Sequence, residues 1–315
     1  MPPLAERLRL AERTLTALVH DAELPPKIGV HARPDGSFAH AMPAFLRGSD
    51  PAGADDLLGI KWIAGFPANR ERGLPAIHGL VVLSDAATGI PAAILDAGPI
   101  TAERTAAISG VALAHFAPET GRPPRAAILG GGVQARSHLA VLGHVLPGAD
   151  LTIFDRHPDR AASVAAAAEA TPGIHAARPA PTAREATDGA DVVLTMASFA
   201  PADQRQTLTD DWLSPDALVV AVDYATYVAA SVAHNATLFL VDQREQFLAN
   251  RDAGNFDGYP DPTATIGEAI LDDVDRPARG RVVVSHLGVG LADLIFGSAI
   301  LREATARGLG TLLPR

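Results

Sequence analysis

Apolar Leu4, Leu8, Leu15, Leu18 and Val19 recur at helical spacing among Arg and Glu over residues ~3–20, which predicts an opening amphipathic helix. The pattern then shortens. "GLVVLSD" and "IPAAILD" are brief apolar runs joined by "AATG", a strand, turn, strand signal for a hairpin in a mostly antiparallel sheet. "TAERTAAISGVALAHF", 101–116, opens on a threonine suited to a cap and continues through good helix formers. It ends before Pro118, Gly121, Pro123 and Pro124, which cannot extend a helix and suggest a boundary between lobes. Beyond them strands and helices alternate: "RAAIL", "VQARSHLAVLGHV", "LTIFD", "DRAASVAAAAEA", "DVVLTMA", "LVVAVD", "ATLFLVD" and "RVVVSHL". Short apolar strands separated by helices predict a parallel sheet covered on both faces, the doubly wound α/β architecture. A last helical pattern runs over 290–307.

One loop gives this α/β part a ligand. "AAILGGGVQARSHL" reads G-x-G-x-x-A as Gly130, Gly132 and Ala135, with Val133 and Gln134 between them, directly between a strand and a helix. Glycine permits the tight turn and the close approach of a pyrophosphate, and the helix N-terminus offers unpaired N–H donors. The next strand ends in Asp155, where a carboxylate can accept from the adenosine ribose hydroxyls. That favours NAD over NADP, although Arg156 beside it leaves room for the ribose phosphate. A Rossmann dinucleotide-binding domain over 121–289 is therefore expected, with 1–120 and 290–315 forming a second, α+β domain.

Composition narrows the chemistry. At 315 residues, 48% hydrophobic and 20% charged, the chain reads as a soluble globular protein of two lobes. A formal charge of −10 without a basic block disfavours nucleic acid and anionic membranes. "MPPLAERLRLAERTL" lacks the apolar core of a signal peptide, and no apolar run reaches about 18 residues, so the cytoplasm is the expected location. There are no cysteines, which excludes disulfides and thiolate chemistry. His31, His40 and His78 stand apart with no metal-ligand spacing, so no metal is expected.

"GIKWIAGFPAN", 59–69, places Lys61 among apolar and small residues. Two readings stand open. The methylene stem can lie on the core with the charge in water, or a desolvated lysine can move protons near neutral pH.

Four stretches in order, "KWIAGFPANRERGLPAIHGLVVLSDAATGIPAAILD", "ITAERTAA", "AILGGGVQARSH" and "VVAVDYATY", with the closing "GVGLADL" and "LREATARGLG", resemble the ornithine cyclodeaminase and mu-crystallin family. The resemblance implies a homodimer whose first lobe and last helix bind substrate and pair the subunits. It also implies NAD(P) in the Rossmann lobe and hydride transfer at the α-carbon of an amino acid or imine. Carried over by residue, Lys61 matches the active-site lysine, Arg104 the arginine that holds substrate carboxylate or touches cofactor, and Asp223 the acid/base carboxylate; Thr105 joins the cofactor candidates. Where the family often has a second carboxylate-binding arginine, this chain offers Lys27, a point charge without the planar fork, which reads equally as a surface lysine. Met42 reads as pocket lining or as core. "GIKW" and "VDYATY" with "VDQREQF" look most like the branch that oxidatively cleaves N-substituted amino acids. The expected activity is an NAD(P)-dependent oxidoreductase acting on a C–N bond of an amino acid, N-substituted amino acid or cyclic imine. The alternatives are a redox-neutral ornithine cyclodeaminase and a silent NAD(P)H-binding protein.

Overall fold

The computed structural model describes residues 1–313. The chain forms two compact units, Met1–Arg104 with Val289–Arg315, and Thr105–Gly288. The first crossing thus falls within a helix, earlier in the chain than the proline-rich segment suggests.

The first unit opens with α1 (Leu4–His20), followed by β1 (Ala22–Glu23), β2 (Ile28–Ala32), β3 (Ser37–Leu46), β4 (Leu57–Gly65), β5 (Ile77–Ser84) and β6 (Pro91–Asp96). The strands pair antiparallel in the order β1-β3-β4-β5-β6, with β2 also on β3. Next comes α2 (Ala97–Phe116). It begins four residues before the threonine cap expected from sequence, because the Asp96 carboxylate accepts from the Gly98 N–H at 2.9 Å and starts the helix there.

The second unit contains, in order, β7 (Arg125–Leu129), α3 (Val133–Val145), β8 (Ala149–Phe154), α4 (Pro158–Glu169), β9 (Ile174–Pro179), α5 (Ala183–Thr187), β10 (Val192–Thr195), β11 (Leu218–Ala221), α6 (Ala230–His234), β12 (Leu238–Val241), α7 (Arg244–Asp252), β13 (Ala264–Thr265), α8 (Ile266–Leu271) and β14 (Val282–Ser285). Its sheet runs β13-β12-β14-β11-β10-β7-β8-β9, every pair parallel. All residues of β10, β11 and β14 are buried, as a sheet covered on both faces requires. On one side Phe239, Phe247, Phe256 and Tyr259 pack ring against ring, and the Tyr259 hydroxyl donates to the Val228 carbonyl at 2.6 Å. Truncating one of these buried phenylalanines to alanine costs roughly 3–5 kcal/mol.

The chain returns to the first unit as α9 (Gly290–Ala306), which packs on β3, β4 and β5 and against α1. Two glycines allow this approach. A Cβ on Gly290 would stand 2.5 Å from the Met42 carbonyl oxygen, and one on Gly59 would meet the Val82 carbonyl at 2.3 Å and Leu294 at 3.0 Å. Among the described residues no helix is long and apolar enough to cross a membrane.

Candidate active site

In the first unit β4 alternates between its faces, sending Lys61 and Ile63 inward and Trp62 outward. Lys61 is 1% exposed, so the snorkelling arrangement does not occur. Its Nζ lies 2.5 Å from Oδ2 of Asp293, a completely buried carboxylate in the first turn of α9. The other oxygen of Asp293, Oδ1, is 3.5 Å from Nε of buried Arg104 and accepts from Thr101 Oγ1 at 3.5 Å. Burial pushes Lys61 down to about 7; Asp293 opposes that fall, while Arg104 and Lys27 add to it. Near neutral pH the side chain therefore gives and takes a proton readily, as acid–base work requires.

Lys27 precedes β2, and its charge acts on Lys61 and on His40. Burial first, then Lys27, His31 and Lys61, lower His40 to about 4, so its ring is neutral. Met42 is buried directly across from Lys61 in the β3–β4 register. A count could have drawn attention here: the chain has 24 arginines and only two lysines, Lys27 and Lys61. Asp293 is the residue that sequence reasoning missed; its one signal is an acid inside the apolar run "GLADLIFG".

In the second unit the glycine loop follows β7, whose neighbours β8 and β10 leave in opposite directions, the switch point where open α/β sheets bind ligands. Gly130 adopts φ +118°, and a Cβ there would stand 2.7 Å from the Met196 carbonyl oxygen. Gly132 caps α3 and has nothing within 4 Å of a built Cβ, so a pyrophosphate has room to approach the helix N-terminus. Val133 is exposed at the first helical position, Gln134 is half-buried, and Ala135 is fully buried, as helix packing on the strand needs. Asp155 accepts from Gly131 N at 2.7 Å and from His157 N at 2.8 Å, which fixes its carboxylate beside the loop; Arg156 is exposed. Thr105 is buried on α2. The open Gly132, the start of α3 and the fixed Asp155 carboxylate fit a dinucleotide.

Asp223 lies just past β11, 4% exposed. It accepts from Thr195 Oγ1 at 2.9 Å and from Ala197 N at 3.3 Å. Burial raises it to about 6 despite those donors. Tyr224 and Ala225, which follow, both have positive φ (54° and 57°), a conformation non-glycine residues adopt at some cost. The turn is held by Thr226, whose N–H and hydroxyl both donate to the Asp223 carbonyl. Tyr227 is pushed up to about 12, by burial first and then by Asp223 and Asp155, so its phenol keeps its proton.

A second buried set underlies the loop. His138 is held near 4 by burial and is neutral. Its Nδ1–H donates to the Gln134 carbonyl at 2.7 Å, so Nε2 accepts from the Ser109 hydroxyl at 2.8 Å. Ser109 in turn accepts from Nε2–H of His286 at 2.8 Å. This chain of bonds ties α2 and the residue after β14 to the start of α3.

Known proteins resemble this chain over most of its length. The family model described as ornithine cyclodeaminase/mu-crystallin family matches residues 4–292. The nodulation efficiency protein NfeD of Rhizobium meliloti is 33% identical over 99% of this chain and 94% of its own. Ketimine reductase mu-crystallin of Rattus norvegicus is 26% identical over 82% of this chain and 78% of its own. Delta(1)-pyrroline-2-carboxylate reductase of Thermococcus litoralis, solved with NADH and L-proline, is 22% identical and superposes with a TM-score of 0.84 over 99% of this chain and 96% of that one. At that identity the superposition speaks for the fold, and the family match over nearly the whole sequence decides the relationship: the chain belongs to the ornithine cyclodeaminase/mu-crystallin family.

Proposed function

We propose that this protein is an NAD(P)-dependent oxidoreductase that acts on the C–N bond of an amino acid, N-substituted amino acid or cyclic imine. The observation that carries the reading is the buried Lys61 amine, set 2.5 Å from Asp293 and brought close to neutral pKa. A buried amine brought close to neutral pKa beside a carboxylate is suited to giving a proton to an imine nitrogen and taking it back. The family relationship and the dinucleotide-shaped glycine loop support it. So do the reductase relatives, one named for a ketimine and one solved with NADH and L-proline. NAD is the preferred cofactor because Asp155 stands at the end of β8, where a carboxylate repels a ribose phosphate.

A bound nicotinamide dinucleotide supplies or accepts the hydride. The chain's own groups handle charge and protons. Arg104, with Nε toward Asp293, holds the substrate carboxylate and orients the α-carbon. In the reducing direction the Lys61 ammonium would donate a proton to the imine nitrogen, and in the oxidising direction the neutral amine would take a proton from the substrate nitrogen. Asp223, raised to about 6, is suited to accepting a proton from the substrate ammonium or from water attacking an imine. Lys27 supplies further positive charge for an acidic substrate.

The subunits pair as a homodimer in this reading. Ile28, Val30, Trp62, Leu80 and Ile94 lie on the outer face of the first unit's sheet, between 45% and 58% exposed. Ile28, Ala41, Trp62 and Leu80 form one row across four strands. An apolar row of this size on a sheet face is the kind of surface that associating proteins cover.

The test is to mix the protein with NAD and a panel of amino acids and N-carboxyalkyl amino acids, and with NADH and cyclic imines, following NADH fluorescence. Substrate-dependent formation or loss of NADH supports the proposal. Ammonia released from ornithine with no net NADH change replaces it with the redox-neutral cyclodeaminase, and NAD binding without turnover of any compound replaces it with a binding protein.

A further inference from the structure

We propose that Asp293 is a positioning residue for this reaction: it is the built-in counter-ion of Lys61, aiming the amine and keeping it protonated for donation. The inference rests on the role proposed for Lys61.

The geometry begins with helix placement. Gly290 lets α9 approach β3 so closely that a Cβ there would collide with the Met42 carbonyl, and Gly59 on β4 leaves room for Leu294 of α9, which a Cβ would meet at 3.0 Å. That approach inserts the first turn of α9 beside the inward face of β4. Asp293 stands in this turn, where the unpaired N–H groups and the helix dipole favour a negative charge. With Asp293 and Lys61 at 0% and 1% side-chain exposure, water cannot substitute for either partner.

The surrounding charges make this carboxylate decisive. Arg104 on α2 and Lys27 before β2 both act on Lys61 so as to expel its proton, and His40 on β3 is kept neutral by burial first and then by Lys27, His31 and Lys61. Asp293 opposes them on α9. Its two oxygens are divided, Oδ2 to Lys61 and Oδ1 to Arg104 and Thr101, so one carboxylate sets the spacing between the proposed proton donor and the proposed carboxylate-binding arginine. When Lys61 gives its proton to a substrate nitrogen, Nζ becomes a neutral amine and the negative charge stays on Asp293. The pair is then poised to recover a proton.

The chain's two lysines make this directly measurable. Labelling lysine with 13C at Cε yields two signals, assigned with Lys27→Arg, and their pH titration reports each amine without any substrate. In the parent Lys61 titrates near neutral pH. In Asp293→Asn the Lys61 midpoint falls by at least one pH unit, a tenfold loss of proton affinity, while Lys27 stays in place. The limb of the kcat/KM profile that reports Lys61 moves down by the same amount. An unmoved Lys61 midpoint in folded Asp293→Asn overturns the proposal. Should Asp293→Asn fail to fold, Lys61→Met combined with Asp293→Asn decides the matter. Recovery of the fold in the double variant supports the counter-ion role, and a double variant as unstable as the single assigns the carboxylate to Arg104 and Thr101 instead. Turnover retained by Lys61→Met would remove the catalytic role of Lys61 whatever the titration shows, so the two failures are separable.

Discussion

Replacing Asp223 by asparagine separates what this carboxyl does for stability from what it does for chemistry. In the folded chain it is held near 6 instead of 3.8, mainly by burial, which corresponds to roughly 3 kcal/mol against its charged form. A raised carboxyl contributes stability that is fully present below pH 3.8 and is lost as pH rises through 6, because between those values the folded state keeps a proton the unfolded state has released. Asparagine does not titrate, and it fits: with the amide turned so that its oxygen accepts from Ala197 N, the Thr195 hydroxyl can rotate to accept from its nitrogen. Relative to the parent, Asp223→Asn should therefore gain roughly 3 kcal/mol of stability between pH 4 and pH 8. Meanwhile its turnover falls by about 10²–10⁴-fold, the usual worth of a general acid or base. The chain has two tryptophans, Trp62 and Trp212. Urea unfolding followed by Trp212 fluorescence in a Trp62→Phe background reads the second unit alone. A parent-to-variant difference that stays constant from pH 4 to 8 would refute the reasoning, since it would mean that folding leaves Asp223 titrating as it does in the unfolded chain.

Four further outcomes are expected. Lys61→Ala leaves NAD binding, read by calorimetry, unchanged and removes turnover; a normal rate would end its assigned role. Asp155→Ala weakens NAD more than NADP, and a parent that already binds NADP more tightly contradicts the ribose contact. Gly132→Ala, at a position with open space and an ordinary φ, keeps the melting temperature but raises the NAD Kd at least tenfold, whereas Gly130→Ala, at φ +118° and 2.7 Å from the Met196 carbonyl, lowers the melting temperature itself. Trp62→Glu with Leu80→Glu shifts the mass measured by light scattering from dimer to monomer; a parent that is monomeric at micromolar concentration removes the proposed interface.

Local pattern was sufficient for most of the fold. Opening helix, hairpin, alternating strands and helices and closing helix all follow from apolar spacing, because burial on one or both faces of an element leaves a short-range period in the chain. The glycine loop was equally legible, since the turn after β7 tolerates only particular residues at fixed offsets, as Gly130 shows against Met196. Elsewhere a nearer partner changed the outcome: Thr101 has the chemistry of a helix cap, yet Asp96 starts α2 because its carboxylate reaches Gly98. The insertion of β14 between β11 and β12 is likewise a long-range choice that no local period encodes. The candidate site divides in the same way. The sequence by itself placed Lys61, Arg104 and Asp223 in recognisable stretches, and for Lys61 it left two environments open. Only the tertiary structure decided between them, by bringing α9 onto β4 so that Asp293, distant in sequence, meets the lysine in the absence of water. The physical reason is that an amine's proton affinity depends on desolvation and on charges a few ångströms away, and both are properties of packing.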